Sequence, residues 1–385
     1  MSGIYDEREQ SQTKHLILKE YLAELALKTL LGGWTEFTFI DGFSGPWESR
    51  AEGFSDTSFG IALETLDSVQ RLVEARKSEL PRVRLVFCEK NRASFEKLSA
   101  HCSEAASKTK LEVHCLNGSF EELVPELLKL TPSGFRLTFV DPTGWSGYAL
   151  NSISPLFRRR EDEVIVNFMY DFINRFVESD DPAIQDSLVP ILGENVRERI
   201  SASPAGRQEA ISGLFRENLR HSGGFRYTLT APVSKPLADR PLFMLAYGTK
   251  SYSGLETFRK IERRAMSAYA AVRARAKEKA QEERSGQPSL FVTDDSEAKR
   301  EFEEGLDLVR SDAAEFLREV VFARSPERSF KQVAAALMAR LPLTKTDAKA
   351  ICVELANGGF LEPTWKERSP RARGPNEDDK LRVRR

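Results

Sequence analysis

Cysteine and histidine are scarce in this chain, with four of each among 385 residues. Cys88, Cys102, Cys115 and Cys352 show no Cys-x-x-Cys spacing, and two of them fall in runs that we predict to be central strands. Cysteines in such positions are typical of buried structural thiols rather than of metal ligands or nucleophiles. The histidines are also scattered, so the sequence argues against zinc and thiol chemistry.

The chain also lacks an excess of charge of either sign. Lys and Arg number 57 and Asp and Glu number 58, which gives a formal net charge of −1. This balance argues against a globally basic nucleic-acid-binding protein, although it allows a local basic patch. No apolar run follows Met1, and no stretch long enough to span a membrane is free of charges. We therefore expect no signal peptide, no membrane association and a cytoplasmic protein.

Four short apolar runs each end in polar residues. The first runs from Thr38 to Asp41, and the others end at Glu89, at residues 117–119 and at Asp141. Helix-like segments lie between them, and this alternation predicts an α/β fold with a Rossmann-like, doubly wound, mostly parallel sheet and a ligand across its strand ends. Two later runs are separated only by residues 231–241, which favours a hairpin and an antiparallel last strand.

The length of the chain predicts more than one domain. We expect the Rossmann-like domain over residues 13–270 and a charged helical linker over residues 271–301, where Gly and Pro interrupt a polar stretch. Residues 302–368 contain three helical patterns and then a β-like run that opens at Gly358 and Gly359. This order predicts a small winged-helix-like domain, with a generic three-helix cap as the alternative. Residues 369–385 are predicted to be a basic, disordered tail.

The turn after the first strand narrows the choice of ligand. It offers only Gly42 and Gly45, so it lacks the third glycine of the NAD fingerprint, and the P-loop pattern is absent from the sequence. Both glycines allow the backbone to approach a ligand closely. Glu89 at the end of the second strand fits a ribose diol, and Asn117 or Ser119 after the third strand fits an adenine ring. S-adenosylmethionine (SAM) requires this combination.

Several motifs that occur in order carry a family resemblance. They read K-H-x-I-L-K-x-Y-L, F-I-D-G-F-S-G-P, F-C-E-K-N, N-G-S-F, F-V-D-P-T-G-W and G-L-E-x-F. Over roughly residues 14–265 the chain resembles the three-Cys-motif partner (TcmP) family, which is similar to class I SAM-dependent methyltransferases. The resemblance implies SAM as the cofactor and, as a partner, a radical-SAM-like protein that bears the three cysteines. It does not define the reaction.

The same resemblance assigns residues to the cofactor site. The turn under the methionine part of SAM would consist of Asp41, Gly42, Phe43 and Gly45. The ribose would be held by Glu89 and flanked by Lys90 and Asn91, and adenine would contact Asn117, Ser119 and Phe120. Each of these residues also has a structural alternative; for example, Asp41 can cap the next helix and Phe120 can belong to the core.

Candidate catalytic residues follow the fourth strand. Asp141, Pro142 and Trp145 occupy the position where amino-methyltransferases hold the amine that receives the methyl group. In those enzymes an acceptor orients the amine and an aromatic ring stacks on the base. Here Thr143 replaces a second proline and Gly144 precedes Trp145, which leaves base methylation an open question. The alternative for Trp145 is a core residue under the following helix.

We therefore predict a SAM-dependent methyltransferase-like protein that acts on a nucleic acid or on a substrate handled with its three-Cys-motif partner. Basic residues at 158–160 and in the C-terminal tail either face solvent or neutralise phosphates of DNA or RNA. Two alternatives stay open. One is a catalytically silent SAM-binding accessory subunit, and the other is a winged-helix regulator whose first domain senses a ligand.

Overall fold

A computed structural model describes residues 9–45, 49, 51, 54–77, 79–285 and 294–384. The chain divides into two compact units, with unit 1 ending at Ser251 and unit 2 beginning at Tyr252. Pro46, the last residue of the motif F-I-D-G-F-S-G-P, lies outside the described residues, as does the stretch 286–293 of the predicted linker.

Unit 1 alternates strands with helices. Its strands are β1 (Glu36–Asp41), β2 (Arg82–Glu89), β3 (Glu112–Asn117), β4 (Phe135–Val140), β5 (Asp162–Phe168), β6 (Tyr227–Ser234) and β7 (Pro241–Thr249). Its helices are α1 (Glu9–Leu31), α2 (Ser58–Lys77), α3 (Arg92–Lys108), α4 (Phe120–Leu130), α5 (Leu150–Ile153), α6 (Tyr170–Phe176), α7 (Pro182–Leu192), α8 (Val196–Ser201) and α9 (Arg207–Gly223). A 3-10 turn, Ser154–Phe157, follows α5.

Within the described residues, the strands of unit 1 form a seven-stranded sheet in the order β3-β2-β1-β4-β5-β7-β6. The first five in this order are parallel, and β7 runs antiparallel to both β5 and β6. The predictions of an α/β fold, a mostly parallel sheet and an antiparallel last strand are therefore confirmed. The strand order reverses direction between the neighbouring strands β1 and β4. The carboxyl ends of these two strands therefore lie side by side at the point where ligands bind in open α/β sheets.

Helices cover both faces of this sheet. On one face, the ring of Phe87 in β2 lies 6.0 Å from that of Phe59 in α2, centroid to centroid. On the other face, Val86 and Cys88 of the same strand belong to a buried cluster with Leu123 of α4. Successive side chains of a strand point to opposite faces, so a strand covered on both sides is apolar along its whole length. This explains why residues 85–88 of β2 form a continuous apolar run up to Glu89.

Unit 2 is mainly helical. Its helices are α10 (Tyr252–Ser285), α11 (Asp295–Phe316), α12 (Phe330–Arg340), α13 (Lys345–Asn357) and α14 (Trp365–Arg368), with a π-helical turn at Leu317–Val321. Its strands are β8 (Glu327–Ser329), β9 (Leu361–Glu362) and β10 (Lys380–Val383). They form an antiparallel sheet with β10 between β8 and β9.

Two of the predicted boundaries differ from the structure. The first unit ends at Ser251 rather than at residue 270, because α10 packs against α11 and α12 of unit 2. Residues 271–285 of the predicted linker continue α10, and residues 295–301 begin α11, so these parts are helices of unit 2.

The C-terminal tail is also ordered where we predicted disorder. Residues 380–383 form β10, and Leu381 is buried in unit 2. Basic residues alternate with Leu381 and Val383, and this two-residue period is typical of a strand with one buried face. The charged composition of the tail concealed that alternation. None of the described helices combines the length and the apolarity needed to cross a bilayer.

Candidate functional site

The predicted strand ends meet at one edge of the sheet in unit 1. Asp41 of β1 pairs in register with Phe87 of β2, and Glu89 pairs with Asn117 of β3. A cleft of about 1140 Å³ opens at this edge. Of the predicted site residues, those that line it are Gly42, Phe43, Gly45, Glu89, Lys90, Asn91, Ser119, Phe120, Asp141 and Pro142.

Three predicted residues do not line the cleft. Asp41 is completely buried beneath it. The amide of Asn117 donates to the backbone oxygen of Glu89 over 2.8 Å, so this side chain supports the end of β2. Trp145 packs instead against the ring of Phe176 in α6, with the centroids 5.3 Å apart, and its indole N–H donates to Ser187 in α7. The structure thus puts Trp145 among aromatic side chains away from the cleft.

Asp41 anchors the turn after β1. Its Oδ1 accepts the backbone N–H of Phe43 over 3.0 Å, and its Oδ2 accepts the hydroxyl of Ser58 over 2.5 Å. Burial raises the pKa of Asp41 to about 6, while these hydrogen bonds act in the opposite direction and the charge of Asp141 raises it further. Ser58 begins α2, so Asp41 joins the turn to the start of that helix.

Gly42 lies directly under an aromatic ring. A Cβ at this position would stand 2.9 Å from three ring atoms of Phe120, closer than real Cβ contacts come. Phe120 begins α4, is almost fully buried and packs against Phe43, with the ring centroids 5.8 Å apart. Phe120 therefore belongs to the core and forms part of the cleft wall as well.

Glu89 ends β2 at the cleft with only 3% of its surface exposed. Its Oε1 accepts the backbone N–H of Asn91 over 2.5 Å. Burial raises the pKa of Glu89, and the backbone N–H groups of Asn91 and Lys90 partly offset that rise. Asn91 also caps α3, since its side chain accepts the N–H of Ser94. The carboxylate is thus held at the start of a helix with acceptor capacity left for a ligand.

Asp141 is held from two sides. Its Oδ2 lies 2.5 Å from the ammonium of Lys14 in α1, and its Oδ1 accepts the amide Nδ2 of Asn167 in β5 over 2.7 Å. Each of these hydrogen bonds uses one of the roughly four lone-pair sites of a carboxylate, so Asp141 can still accept from a ligand. Its charge is balanced by Lys14.

Sequence reasoning missed several residues of the cleft wall. These are Lys14, Ser58, Gly147, Asn167 and Met169. Asn167 left a signal, because it is the polar residue in residues 164–168 at the carboxyl end of β5, which are otherwise apolar. Lys14 left no signal of its own, since helical periodicity puts it off the apolar stripe of α1.

Comparisons with known proteins add little to this description. No protein-family model matches the chain, and no curated protein matches it. Among solved structures, the crystal structure of protein LPL1258 from Legionella pneumophila, described under the family model DUF519, is similar with a TM-score of 0.36 and 11% sequence identity. That alignment covers 70% of this chain and 94% of the other.

Proposed function

We propose that unit 1 is a Rossmann-like SAM-binding domain that transfers a methyl group to a nucleic acid or to a substrate handled with a three-Cys-motif partner. The observation that carries the proposal is the position of Glu89, a nearly buried carboxylate that faces the cleft from the end of β2. A carboxylate at this place fits the two hydroxyls of a ribose. The strand order, with β7 inserted antiparallel between β5 and β6, supports the resemblance to class I methyltransferases.

The residues around the cleft fit SAM by their chemistry. Glu89 offers acceptors to a ribose, and Phe43 and Phe120 offer apolar surface beside it. The Asp41 carboxylate is buried at the turn after β1. Its negative charge would stabilise a positive charge on the ligand. When bound, SAM supplies an electrophilic methyl group on a positively charged sulfur.

The residues after β4 fit the acceptor side. Asp141 lines the cleft in a fixed orientation, because Lys14 and Asn167 hold its two oxygens. It can accept an N–H of the substrate and so orient the nitrogen lone pair, which is the main requirement for transfer to an amine. Trp145 takes no part in this proposal, because its ring packs on α6.

For unit 2, the order of α11, β8, α12, α13, β9 and β10 supports a winged-helix-like domain. Its contacts favour a protein-docking role over reading of nucleic acid. At the start of α13, Lys345 is 2.5 Å from Glu377 and 3.4 Å from Glu256, so its charge is neutralised within the unit. A lysine that is engaged in this way has little charge left for phosphates.

Calorimetry with SAM and S-adenosylhomocysteine tests the cofactor site. We expect wild type to bind both and Glu89→Ala to weaken binding by about 1–3 kcal/mol, the cost of leaving ligand hydroxyls without partners. Glu96→Ala is the matched control, because this glutamate is exposed on α3. If wild type bound neither ligand, both the methyltransferase hypothesis and the accessory-subunit hypothesis would be excluded.

Transfer of labelled methyl groups separates the remaining candidates. Wild type is incubated with single-stranded and duplex DNA and RNA, with and without the three-Cys-motif protein. Label on nucleic acid supports the first form of the proposal, and label that requires the partner supports the second. Binding of SAM without transfer under any of these conditions would instead favour the silent accessory subunit.

A further inference from the structure

Three aromatic side chains form a cluster on the surface of unit 1. The ring of Trp145 lies 6.5 Å from that of Phe172 and 5.3 Å from that of Phe176, measured between centroids. Phe172 and Phe176 are four positions apart in α6 and therefore lie on the same side of the helix. Phe176 is 37% exposed, and the other two rings are half-buried. Exposed apolar side chains that stand singly are ordinary, whereas a contiguous group of them is typical of an interaction site.

Three basic side chains surround one carboxylate beside this cluster. Asp171 of α6 is buried, and its Oδ2 lies 3.1 Å from the guanidinium of Arg175 and 2.9 Å from the ammonium of Lys235. Its Oδ1 lies 3.8 Å from the guanidinium of Arg240. No other carboxylate of the described residues forms an ion pair with these three side chains. Three positive charges thus share one negative charge, and the group keeps an excess of positive charge.

Arg175 joins the basic group to the aromatic cluster. Its guanidinium lies 4.9 Å from the centroid of the Phe172 ring, a cation–π contact, while it also pairs with Asp171. The rings and the basic group therefore share one side of α6, whereas Ile173 of the same helix belongs to the core. We call the three rings and the three basic side chains together the α6 patch.

The α6 patch lies just outside the cleft. Met169 lines the cleft, and α6 begins at the next residue. Ser146 also lines it, directly after Trp145 in the chain. Leu242 lines it as well, two positions after Arg240. Three separate segments of the chain thus run from the cleft wall to the patch, and two of them follow β4 and β5, the strands on the proposed acceptor side.

We propose that the α6 patch binds single-stranded DNA or RNA whose target nucleotide occupies the cleft. Bases that flank the target stack on Phe176 and Trp145, and the phosphates between them pair with the basic group. This inference rests on the proposed function. It names single-stranded nucleic acid as the substrate class and the surface that holds the strand outside the cleft.

The combination of rings and positive charge selects this class. Proteins that bind single strands place aromatic side chains under the bases and cationic side chains along the phosphates. In a duplex the bases are stacked on one another, so a ring on a protein surface cannot reach their faces. An apolar protein surface would cover the rings but would leave the excess positive charge without a partner. Each nucleotide of a single strand carries both a π face and a negative charge.

The cleft has room for a target nucleotide. Its volume is about 1140 Å³, which is above the roughly 300–1,000 Å³ of a pocket for one small ligand. SAM is a ligand of that size, so space is left beside it. A cofactor and one nucleotide can therefore occupy the cleft together, with the flanking nucleotides on the α6 patch.

Binding of short oligonucleotides tests the inference. The full chain is first titrated with S-adenosylhomocysteine. Saturated with it, the chain is then titrated with fluorescein-labelled single-stranded DNA, single-stranded RNA and the matching duplexes, and anisotropy is measured at several salt concentrations. We expect at least one single strand to bind about tenfold or more tightly than its duplex, because only the single strand offers free base faces. The logarithm of Kd should rise with that of salt with a slope of about 1 to 2, since each phosphate neutralised contributes about 0.7.

Two substitutions of one residue separate stacking from packing. Phe176→Leu keeps an apolar side chain but removes the ring, so it should weaken single-strand binding roughly 5- to 150-fold, the effect of losing one stacked base. Phe176→Tyr keeps the ring and should bind within about twofold of wild type. Trp34→Ala is the control, because this ring is 41% exposed but precedes β1, at the edge of the sheet opposite the cleft. Thermal unfolding checks that each variant folds, and the affinity for S-adenosylhomocysteine should stay unchanged.

A second pair of variants tests the positive charge. Arg240 is mostly exposed, and Arg240→Gln should weaken single-strand binding and lower the salt slope by about 0.7, the contribution of one phosphate. Arg71→Gln on α2 is the matched control, since this arginine is similarly exposed and pairs with Asp67 outside the patch. It should leave both the affinity and the slope as in wild type.

The outcomes are distinct. If S-adenosylhomocysteine does not bind, the proposed function is removed and this inference with it. If it binds but no single strand does, if duplexes bind as tightly as single strands, or if Phe176→Leu and Arg240→Gln behave as wild type, the inference is overturned while the proposed function stands. If Phe176→Leu instead loses only the binding of the three-Cys-motif protein, the patch is a protein-docking surface and the inference is likewise overturned.

Discussion

The ammonium of Lys14 and the carboxylate of Asp141 form an ion pair over 2.5 Å although they are 127 positions apart in the chain. Their side chains are only 12% and 16% exposed. The pair joins α1 to the end of β4 at the cleft. It therefore couples the first helix of unit 1 to the residue that would orient the substrate.

Loss of Lys14 should destabilise unit 1. Lys14→Met keeps the apolar stem but leaves a largely buried carboxylate with Asn167 alone, so we expect a loss of about 1–3 kcal/mol in the free energy of unfolding. Urea denaturation measures it. Lys19→Met on the same helix breaks an exposed pair with Glu64 and should cost less than about 0.5 kcal/mol. In the double variant Lys14→Met/Asp141→Asn part of the loss should be recovered, whereas simply additive effects would show that the pair is not coupled.

The buried carboxyl of Asp41 should make stability depend on pH. Its pKa is raised from 3.8 to about 6, so the folded protein binds a proton that the unfolded chain has released. The contribution of Asp41 to the free energy of unfolding is therefore largest below about pH 4. It falls by roughly 2–3 kcal/mol as the pH rises to about 6. Asp41→Asn removes this dependence and should gain stability relative to wild type between pH 4 and 7.

The measurement is denaturant unfolding of both proteins across that pH range, since other titrating groups are common to both and cancel in the difference. Asp180→Asn is the control, because that side chain is 94% exposed. A constant difference between wild type and Asp41→Asn at every pH would show that Asp41 is not the group responsible.

Asp41 should also distinguish SAM from S-adenosylhomocysteine. SAM has a positive charge on sulfur and its product does not, so an ionised carboxylate below the turn favours SAM. We expect the ratio of the two affinities to shift toward SAM as pH rises from 5 to 7. The shift is up to about tenfold for each unit by which the positive charge on sulfur lowers the pKa of Asp41. Calorimetry at several pH values measures the ratio. The same pH dependence in Asp41→Asn would assign the effect to another group.

The strand ends could be predicted from the sequence because apolar runs stop there and acids follow. Glu89 is the clearest case, since the apolar run of residues 85–88 in β2 stops at it. The acceptor side could not be predicted as well. Lys14 reaches Asp141 only through the packing of α1, which no local pattern encodes, and Trp145 matches a motif by its position yet turns toward α6.

Gly42 should not tolerate a side chain. A Cβ there would meet the ring of Phe120 at 2.9 Å, and Phe120 is packed by Phe43, so the ring cannot move freely. Gly42→Ala should therefore cost about 1–3 kcal/mol, and Phe120→Leu in the same chain should relieve part of that loss. Gly144→Ala is the control, because no atom of the described residues lies within 4 Å of the added Cβ. Equal unfolding midpoints for the two alanine variants would contradict the close contact.

The strand β10 should protect the C-terminus of the chain from hydrogen exchange. Its backbone pairs with both β8 and β9, and Leu381 is fully buried between them. Amides of residues 380–383 should therefore exchange much more slowly than those of an unstructured peptide, as measured by mass spectrometry on the full chain. Leu381→Ala should destabilise unit 2 by about 2–5 kcal/mol and speed exchange across its whole sheet. Arg382→Ala, which removes only a half-exposed pair with Glu327, should change exchange little. Rapid exchange over residues 380–383 in wild type would instead restore the disordered tail that the charged composition predicts.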